Sequence, residues 1–154
     1  MTSADDLIPL LSADTSVKVS STLDKSVGKK YLIDGNPETC WTSQQGLPQF
    51  IQLGFPKPVI PRRISIIFQG GFVGTRCSVQ VPVLNEDGTP TKDWKVFTSI
   101  YPEDVNRKQT FALKPLEPEL VNAKTSALKL VFEESSDFFG RITVYDLALD
   151  GSLA

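Results

Sequence analysis

Histidine is missing from this chain of 154 residues. Its absence removes the usual general base near neutral pH, and with it the Ser-His-Asp and Cys-His arrangements of nucleophilic enzymes. Zinc sites with histidine ligands are excluded for the same reason, and two cysteines cannot supply four thiolates. The neighbouring carboxylates of Glu133 and Glu134 are expected on opposite faces of a strand, where they do not converge on one substrate. The sequence therefore predicts a protein that is not an enzyme.

Cysteine is scarce, and long apolar runs are missing as well. Cys40 and Cys77 are the only two cysteines, whereas small secreted domains generally carry more, paired as disulfides. We expect both thiols to be free and to behave as small buried apolar side chains. The first residues lack the pattern of a secretion signal, and no segment approaches the roughly 20 apolar residues that cross a bilayer. These features predict an intracellular protein, in the nucleus, the cytoplasm or both.

The chain also lacks an excess of positive charge, because its formal net charge is -2. Phosphate backbones and anionic lipid surfaces attract proteins through positive fields. The charge balance therefore predicts that the protein binds neither nucleic acid directly nor membranes. The basic pairs Lys29-Lys30 and Arg62-Arg63 are interpreted as solvated strand or loop positions.

What the sequence does contain is a repeated alternation of apolar and polar residues. In residues 49–55, for example, Ile51, Leu53 and Phe55 fall on one face of an extended chain. This period of two indicates strands with one buried face. Helical periodicity is nearly absent, and only residues 117–123 suggest a short helical turn. Similar alternation occurs in residues 64–69, 75–84, 94–100, 128–132 and 142–149.

Turn-forming residues separate these segments. Pro56, Pro58 and Pro61 are expected to end one strand and begin the next, and the NEDG segment at 85–88 is a strong turn signal. Many strands at short spacing predict an all-β fold, an antiparallel jelly-roll β-sandwich. We expect one domain over residues 15–154, preceded by an N-terminal arm over residues 1–14.

The most distinctive motif is the segment YLIDGNPETCWTS at residues 31–43, in which an Asp-Gly-Asn turn is followed by Thr and then Trp. Further matches follow in order: QFIQL at 49–53, Asp87-Gly88 ahead of Trp94, and VYDLALDG at 144–151. Together, residues 17–151 resemble the discoidin (coagulation factor V/VIII type C) domains of the galactose-binding-like superfamily. The resemblance implies a jelly-roll β-sandwich that works as a binding module.

A second group of blocks resembles, more narrowly, a small intracellular nuclear-receptor-associated family with this fold. The blocks are FQGGF at 68–72, YPED at 101–104, QTF at 109–111 and residues 132–141. That likeness implies a protein-interaction module, a transcriptional co-regulator or adaptor, whose partner is a nuclear receptor or a multi-subunit complex. Two alternatives stay open. Domains of this fold commonly bind glycans, and the DGNPET stretch at 34–39 is also similar to a subunit of a ciliary transport complex.

The resemblance further implies a structural Ca²⁺ at the turn that follows Tyr31. Calcium prefers hard oxygen ligands from carboxylates, carbonyls and hydroxyls. We expect Asp146 on the same strand face as the apolar Ile142 and Val144, where a carboxylate needs a partner. In the alternative interpretation, Asp34 only closes its own turn and Asp146 faces solvent. The ligands that the resemblance implies are the Tyr31 and Asn36 carbonyls, the Asp34 and Asp146 carboxylates, and the carbonyl and hydroxyl of Thr39.

Bulky apolar side chains in glycine-containing loops are candidates for a partner surface. Aromatic residues beside an arginine have the composition of an interface hot spot. The alternative is that Phe138 and Phe139 cover one end of the core. The candidates are Phe72, Phe138, Phe139 and Arg141, joined by Tyr101 and Asp104 if the fold brings their loop alongside.

The two tryptophans have competing interpretations. Trp41 precedes a polar loop, so it is either a stacking platform for a sugar or a core side chain. Because a single aromatic side chain buries about 150 to 250 Å², we expect both Trp41 and Trp94 to pack in the core.

Overall fold

The computed structural model of the protein describes residues 7–153. The strands in this range pair antiparallel throughout, and three short 3₁₀ helices lie in the connections. The strands are β1 (Ile8–Pro9), β2 (Ser16–Val19), β3 (Trp41–Thr42), β4 (Gln49–Phe68), β5 (Gly74–Leu84), β6 (Pro90–Ile100), β7 (Lys108–Ala112), β8 (Thr125–Ser135) and β9 (Thr143–Leu153). The 3₁₀ helices span Lys25–Val27, Lys29–Tyr31 and Pro118–Leu120.

Strand β4 belongs to both layers of the sandwich. Its first part, up to Gly54, pairs with β2 and β8, and its part from Val59 onward pairs with β9 and β7. One layer therefore contains β2, β8, β5 and β6 beside the start of β4, and the other contains β1, β3, β9 and β7 beside its end. The predicted all-β jelly-roll sandwich is confirmed, and the predicted helical turn is the 3₁₀ helix Pro118–Leu120.

The prediction that prolines separate two strands was wrong, because β4 is continuous through them. Its pairing with β8 is interrupted between Gly54 and Val59, and Pro56 and Pro58 lie in that gap. A proline there removes no hydrogen bond from the ladder. The gap is where β4 passes from one layer to the other, so the prolines mark a corner.

The inner faces of the two layers form one apolar core. Ile51 and Leu53 from the first layer and Ile64 and Ile66 from the second are all buried, as the alternation predicted. Other residues join the layers as well. The rings of Phe68 and Phe132 meet edge to face across the core, with centroids 5.8 Å apart. Such contacts make each layer depend on the other for its stability.

The alternation predicted for residues 142–149 changes phase inside β9. Ile67 of β4 is paired with Asp146 and Phe68 with Val144, so Tyr145 is an extra, bulged residue. A β-bulge shifts every later side chain to the opposite face. Val144 and Leu147 are consequently both buried, whereas Asp146 is only half-buried. The prediction that Asp146 shares a face with Val144 was wrong.

The tryptophans do not share an environment. Trp41 is fully buried and its indole N–H donates to the Ser21 carbonyl at 3.0 Å. Trp94 is half-exposed, with the Lys129 ammonium 4.9 Å from its ring centroid, so its assignment to the core was wrong. Trp94 pairs with Pro82 of the neighbouring strand β5. The Phe50 ring lies 4.7 Å from the same ammonium.

A second bulge corrects the prediction for Glu133 and Glu134. Arg76 pairs with Glu134 and Cys77 with Phe132, which leaves Glu133 as the extra residue in β8. Both carboxylates therefore reach Arg76, at 3.2 Å and 3.6 Å. The two exposed carboxylates share one guanidinium and form an ion-pair network across the sheet.

Part of the predicted N-terminal arm is integrated into the sandwich. Ile8 and Pro9 pair with Gly151 and Asp150 of β9, and Leu10 is buried in the core. Residues 1–6 of the arm lie outside the described range. None of the helices within residues 7–153 is long and apolar enough to cross a membrane.

Candidate functional site

Two loops meet at the end of the sandwich where β5 and β9 begin. Residues 69–73 connect β4 to β5, and residues 136–142 connect β8 to β9. The Val73 N–H donates to the Ser136 hydroxyl at 2.9 Å, and the Thr143 N–H donates to the Phe72 carbonyl at 3.0 Å. These cross-loop bonds hold Phe72 beside the segment that carries Phe138, Phe139 and Arg141.

The second loop is held by an ion pair between Asp137 and Arg141. The guanidinium donates from Nε to Oδ2 at 2.9 Å and from its terminal nitrogen to Oδ1 at 3.1 Å, and the Arg141 N–H donates to Oδ2 at 3.0 Å. Donation from Arg141 to the carboxylate keeps the pKa of Asp137 below its usual range. A carboxylate that accepts three charge-assisted or backbone bonds fixes the loop in one conformation.

Gly140 brings a third segment to this loop. Its φ of +82° and its close approach to Gly46 and Leu47 leave no room for a side chain. The Gly46 N–H also donates to the Phe139 carbonyl at 2.8 Å. The side chain of Leu47, 43% exposed, therefore lies beside the aromatic loop. Sequence reasoning missed Leu47, although an apolar residue between Gly46 and Pro48 is a comparable loop signal.

The aromatic side chains and the arginine form one continuous surface. The Arg141 guanidinium carbon lies 5.1 Å from the Phe72 ring centroid and 5.7 Å from that of Phe139. The rings of Phe138 and Phe139 meet edge to face at 5.2 Å. Phe138 is 94% exposed and Phe139 53% exposed, so neither covers the core. We call Leu47, Phe72, Phe138, Phe139 and Arg141 the aromatic loop surface.

Asp104 contacts the loop that carries Phe72, whereas Tyr101 does not contact the aromatic loop surface within residues 7–153. The Gly71 N–H donates to Asp104 Oδ1 at 2.7 Å, and the Gly70 N–H donates to the Asn106 side-chain oxygen. Asp104 therefore holds the chain just before Phe72. Tyr101 is 66% exposed and has no hydrogen bond or ring contact to the aromatic loop surface within residues 7–153.

The polar turn after Tyr31 is closed by its own side chains. Asp34 accepts from the Asn36 N–H at 3.0 Å and from the Thr39 hydroxyl at 2.6 Å, which lowers the pKa of Asp34. The Asn36 carbonyl accepts from the Thr39 hydroxyl at 3.1 Å. Tyr31 lies in the preceding 3₁₀ helix. Asp34 thus closes its turn, as the alternative interpretation predicted.

The bulge in β9 brings Asp146 towards this turn. The Leu147 N–H donates to the Leu32 carbonyl at 3.1 Å, which joins β9 to the segment before Asp34. Burial raises the pKa of Asp146, the positive charge of Lys108 opposes that rise, and the negative charge of Asp34 adds to it. No side chain within residues 7–153 donates a hydrogen bond to the Asp146 carboxylate or forms an ion pair with it.

The oxygen atoms of Asp34 and Asp146 are ligands that suit a hard divalent cation. The negative charge of Asp34 raises the pKa of Asp146, and a cation bound between the two carboxylates would offset the repulsion between them. Within residues 7–153, no three acidic, cysteine or histidine side chains come together. Carbonyl and hydroxyl oxygens of Tyr31, Asn36 and Thr39 would therefore have to complete the shell, as calcium allows.

Comparison with known proteins identifies the family. No protein-family profile matches the chain. The nuclear receptor 2C2-associated protein of Danio rerio is 39% identical over 145 residues, covering 92% of this chain and 94% of that protein. Its counterpart in Mus musculus is 36% identical over 148 residues, covering 94% and 96%.

Solved structures agree on the fold. A family 32 carbohydrate-binding module from C. perfringens in complex with galactose matches with a TM-score of 0.71 and 16% identity, over 94% of this chain and 98% of that chain. The C-terminal domain of a chitobiase from Bacteroides fragilis matches with a TM-score of 0.72 and 16% identity, over 96% and 99%. These domains confirm the galactose-binding-like sandwich, and the sequence relatives show that the chain belongs to the nuclear receptor 2C2-associated protein family.

Proposed function

We propose that this protein is a non-enzymatic interaction module that binds a nuclear receptor through the aromatic loop surface. The observation that carries the proposal is the position of Phe138, an almost fully exposed ring in a loop fixed by Asp137 and Arg141. The name of the relatives, nuclear receptor 2C2-associated protein, supplies the partner class.

An exposed ring in a rigid loop favours association for two physical reasons. Burying an aromatic side chain in a partner removes a large apolar area from water. The loop is already ordered by its hydrogen bonds, so little conformational entropy is lost on binding. Arg141 stacks against two rings, and arginine and aromatic residues dominate hot spots.

The proposed role follows from this surface. A small module that holds a receptor without chemistry of its own acts as a transcriptional co-regulator or an adaptor, in the nucleus and the cytoplasm.

We further infer that Ca²⁺ held by Asp34 and Asp146 is structural, because these residues join a turn early in the chain to its last strand.

The test is binding of the purified protein to purified nuclear receptor 2C2 from the same organism, measured by isothermal titration calorimetry. Phe138→Ala should weaken binding by about 30-fold, the equivalent of about 2 kcal/mol for a hot-spot ring. Because Phe138 is exposed, the melting temperature should not change. Val96→Ala, an exposed apolar residue on β6 away from the aromatic loop surface, is the matched control and should bind like the wild type. Equal affinity of Phe138→Ala and wild type would contradict the proposal.

Glycan binding is a second candidate, and the same exposed ring favours it because apolar sugar faces pack on aromatic side chains. The buried Trp41 offers no platform for a sugar. Galactose titrated into ¹⁵N-labelled protein separates the two functions. A glycan site would shift loop resonances of the wild type and lose that response in Phe138→Ala, whereas a pure protein site would give no shift in either.

A further inference from the structure

A cavity lies at the end of the sandwich opposite to the aromatic loop surface. Strand β5 begins beside Phe72 and reaches the cavity with its last residues. The cavity measures about 170 Å³, and its walls come from Val81, Val83 and Phe97, with Leu120 and Ala123 on the side of the 3₁₀ helix Pro118–Leu120.

The size and lining of the cavity suit one apolar group. An apolar cavity of about 150 Å³ in a protein interior accepts benzene, so this one has room for a phenyl-sized side chain. Leu84, which lines the cavity, and Val121, which lines the adjoining groove, are each 48% exposed. Leu116, whose N–H donates to the carbonyl of the lining residue Phe97, is 66% exposed. Large apolar side chains exposed near one cavity favour an interaction site over an ordinary surface.

The charged residues that line the cavity and the groove beside it are all basic. Lys95 and Lys124 line the cavity, Arg62 and Lys114 line the adjoining groove on the other side of the 3₁₀ helix, and no carboxylate lines either one. Of these cations, only Lys95 forms an ion pair within residues 7–153, at 3.9 Å from Glu117.

Arg62 is held at this surface by two hydrogen bonds. Its two terminal nitrogens donate to the Val121 carbonyl and to the Asn122 side-chain oxygen, each at 2.6 Å. Its Nε is buried and has no hydrogen-bond partner in the described part of the chain. With Glu117 and Glu119 set against the four cations, the surroundings of the apolar cavity keep a net positive charge, which is complementary to carboxylates that flank an apolar side chain.

We propose that this cavity is a docking site for an acidic protein segment that inserts one phenyl-sized side chain between Lys95 and Lys124. The concave shape of the cavity favours an inserted side chain over the flat surface of a bilayer. The site shares no residue with the aromatic loop surface, so it gives the module a second, independent attachment point.

The probe is a fluorescein-labelled peptide with a central phenylalanine and two glutamates on each side, titrated into the full chain by fluorescence anisotropy. Two control peptides replace the phenylalanine by alanine or the glutamates by lysines. Ala123→Phe fills the cavity and Lys124→Glu reverses its charge, and Lys18→Glu on β2 is the charge-matched control far from the cavity.

We expect the acidic phenylalanine peptide to bind, each control peptide to bind at least about five-fold more weakly, and Lys124→Glu and Ala123→Phe to lose about five-fold or more in affinity. Lys18→Glu should bind like the wild type. Equal binding of the three peptides, no binding by the wild type, or binding only to vesicles of phosphatidylserine and phosphatidylcholine would overturn the proposal. Phe138→Ala should bind this peptide normally, so failure here is distinct from failure of receptor binding.

Discussion

The two thiols of this protein lie in different environments. Cys77 is completely buried in β5, and burial, together with the charge of Glu133, raises the pKa of its thiol. Cys40 is half-buried, and neither forms a disulfide. Maleimide at neutral pH should therefore label Cys40 alone, and Cys77 should react only after denaturation. Peptide mapping by mass spectrometry checks this, and a Cys40–Cys77 bridge in natively purified protein would contradict it.

Asp137 should make the protein sensitive to acid. Its pKa is lowered by Arg141, so its stabilising contribution is complete above the unfolded pKa of about 3.9 and is lost as the pH falls through the folded value. Asp137→Asn should cost about 1 to 2 kcal/mol at pH 7, because a charged acceptor of three hydrogen bonds is lost.

Urea unfolding of both proteins between pH 7 and pH 2 measures this difference. The stabilities should converge at the acid end, where the wild-type carboxyl is protonated. Asp14→Asn is the control for loss of a single charge, because the Asp14 side chain is exposed and accepts no hydrogen bond within residues 7–153. A constant difference across the whole range would contradict the assignment.

At the scale of elements, β-bulges rather than strand length decide which side chains lie on the outer faces of the sandwich. The bulge at Tyr145 turns Asp146 outward, and the bulge at Glu133 lets two carboxylates share Arg76. Each depends on hydrogen bonds to a neighbouring strand that is distant in sequence. A period-two pattern read along one strand assumes that no residue is inserted, and it fails after the first bulge.

The start of β5 depends on Gly74. A Cβ there would overlap the ring of Phe132, which belongs to the aromatic pair at the centre of the core. Gly74→Ala should destabilise the protein by about 1 to 3 kcal/mol through overpacking. Gly28→Ala is the matched control, since a Cβ there meets only ordinary contacts. Thermal and urea unfolding of both variants give the comparison, and equal stability would show that the Phe132 ring moves freely.

At the scale of the whole molecule, the turn of Asp34 and the strand of Asp146 link distant parts of the chain. Calcium that binds only the native state would stabilise it by about 2.7 kcal/mol at a hundredfold excess over its dissociation constant. Chelator should lower the melting temperature of the wild type and of Asp87→Ala, whose carboxylate closes a similar exposed turn. Asp34→Ala should not respond. Identical melting curves with calcium and with chelator in the wild type would remove the site.

The sequence by itself determined the fold class, the family and the strand faces where no bulge interrupts the pairing. Ile51, Leu53, Ile64 and Ile66 are buried because alternation along a strand is a local property that follows from the pleat. The NEDG turn is also local: Gly88 has a φ of +86° and its N–H donates to the Asn85 carbonyl. The sequence also named most of the aromatic loop surface, because phenylalanines beside glycines have no strand period to explain them.

The tertiary structure decided what depends on partners far along the chain. Trp94 lies outside the core because the pairing of β6 with β5 shifts register at Phe97, which changes the face of the residues before it. Strand β4 crosses both layers because other strands pair with each of its parts. Leu47 lies beside Phe139 only because Gly140 has no side chain to separate its loop from the backbone of Gly46. The apolar cavity beside Lys95 and Lys124 is lined by residues from β4 to β8. No local sequence pattern predicts that residues so far apart in the chain are neighbours. The burial of a side chain, the register of a strand and the contacts between loops depend on pairing between segments that are distant in sequence. The alternation of residues along one strand carries no information about that pairing.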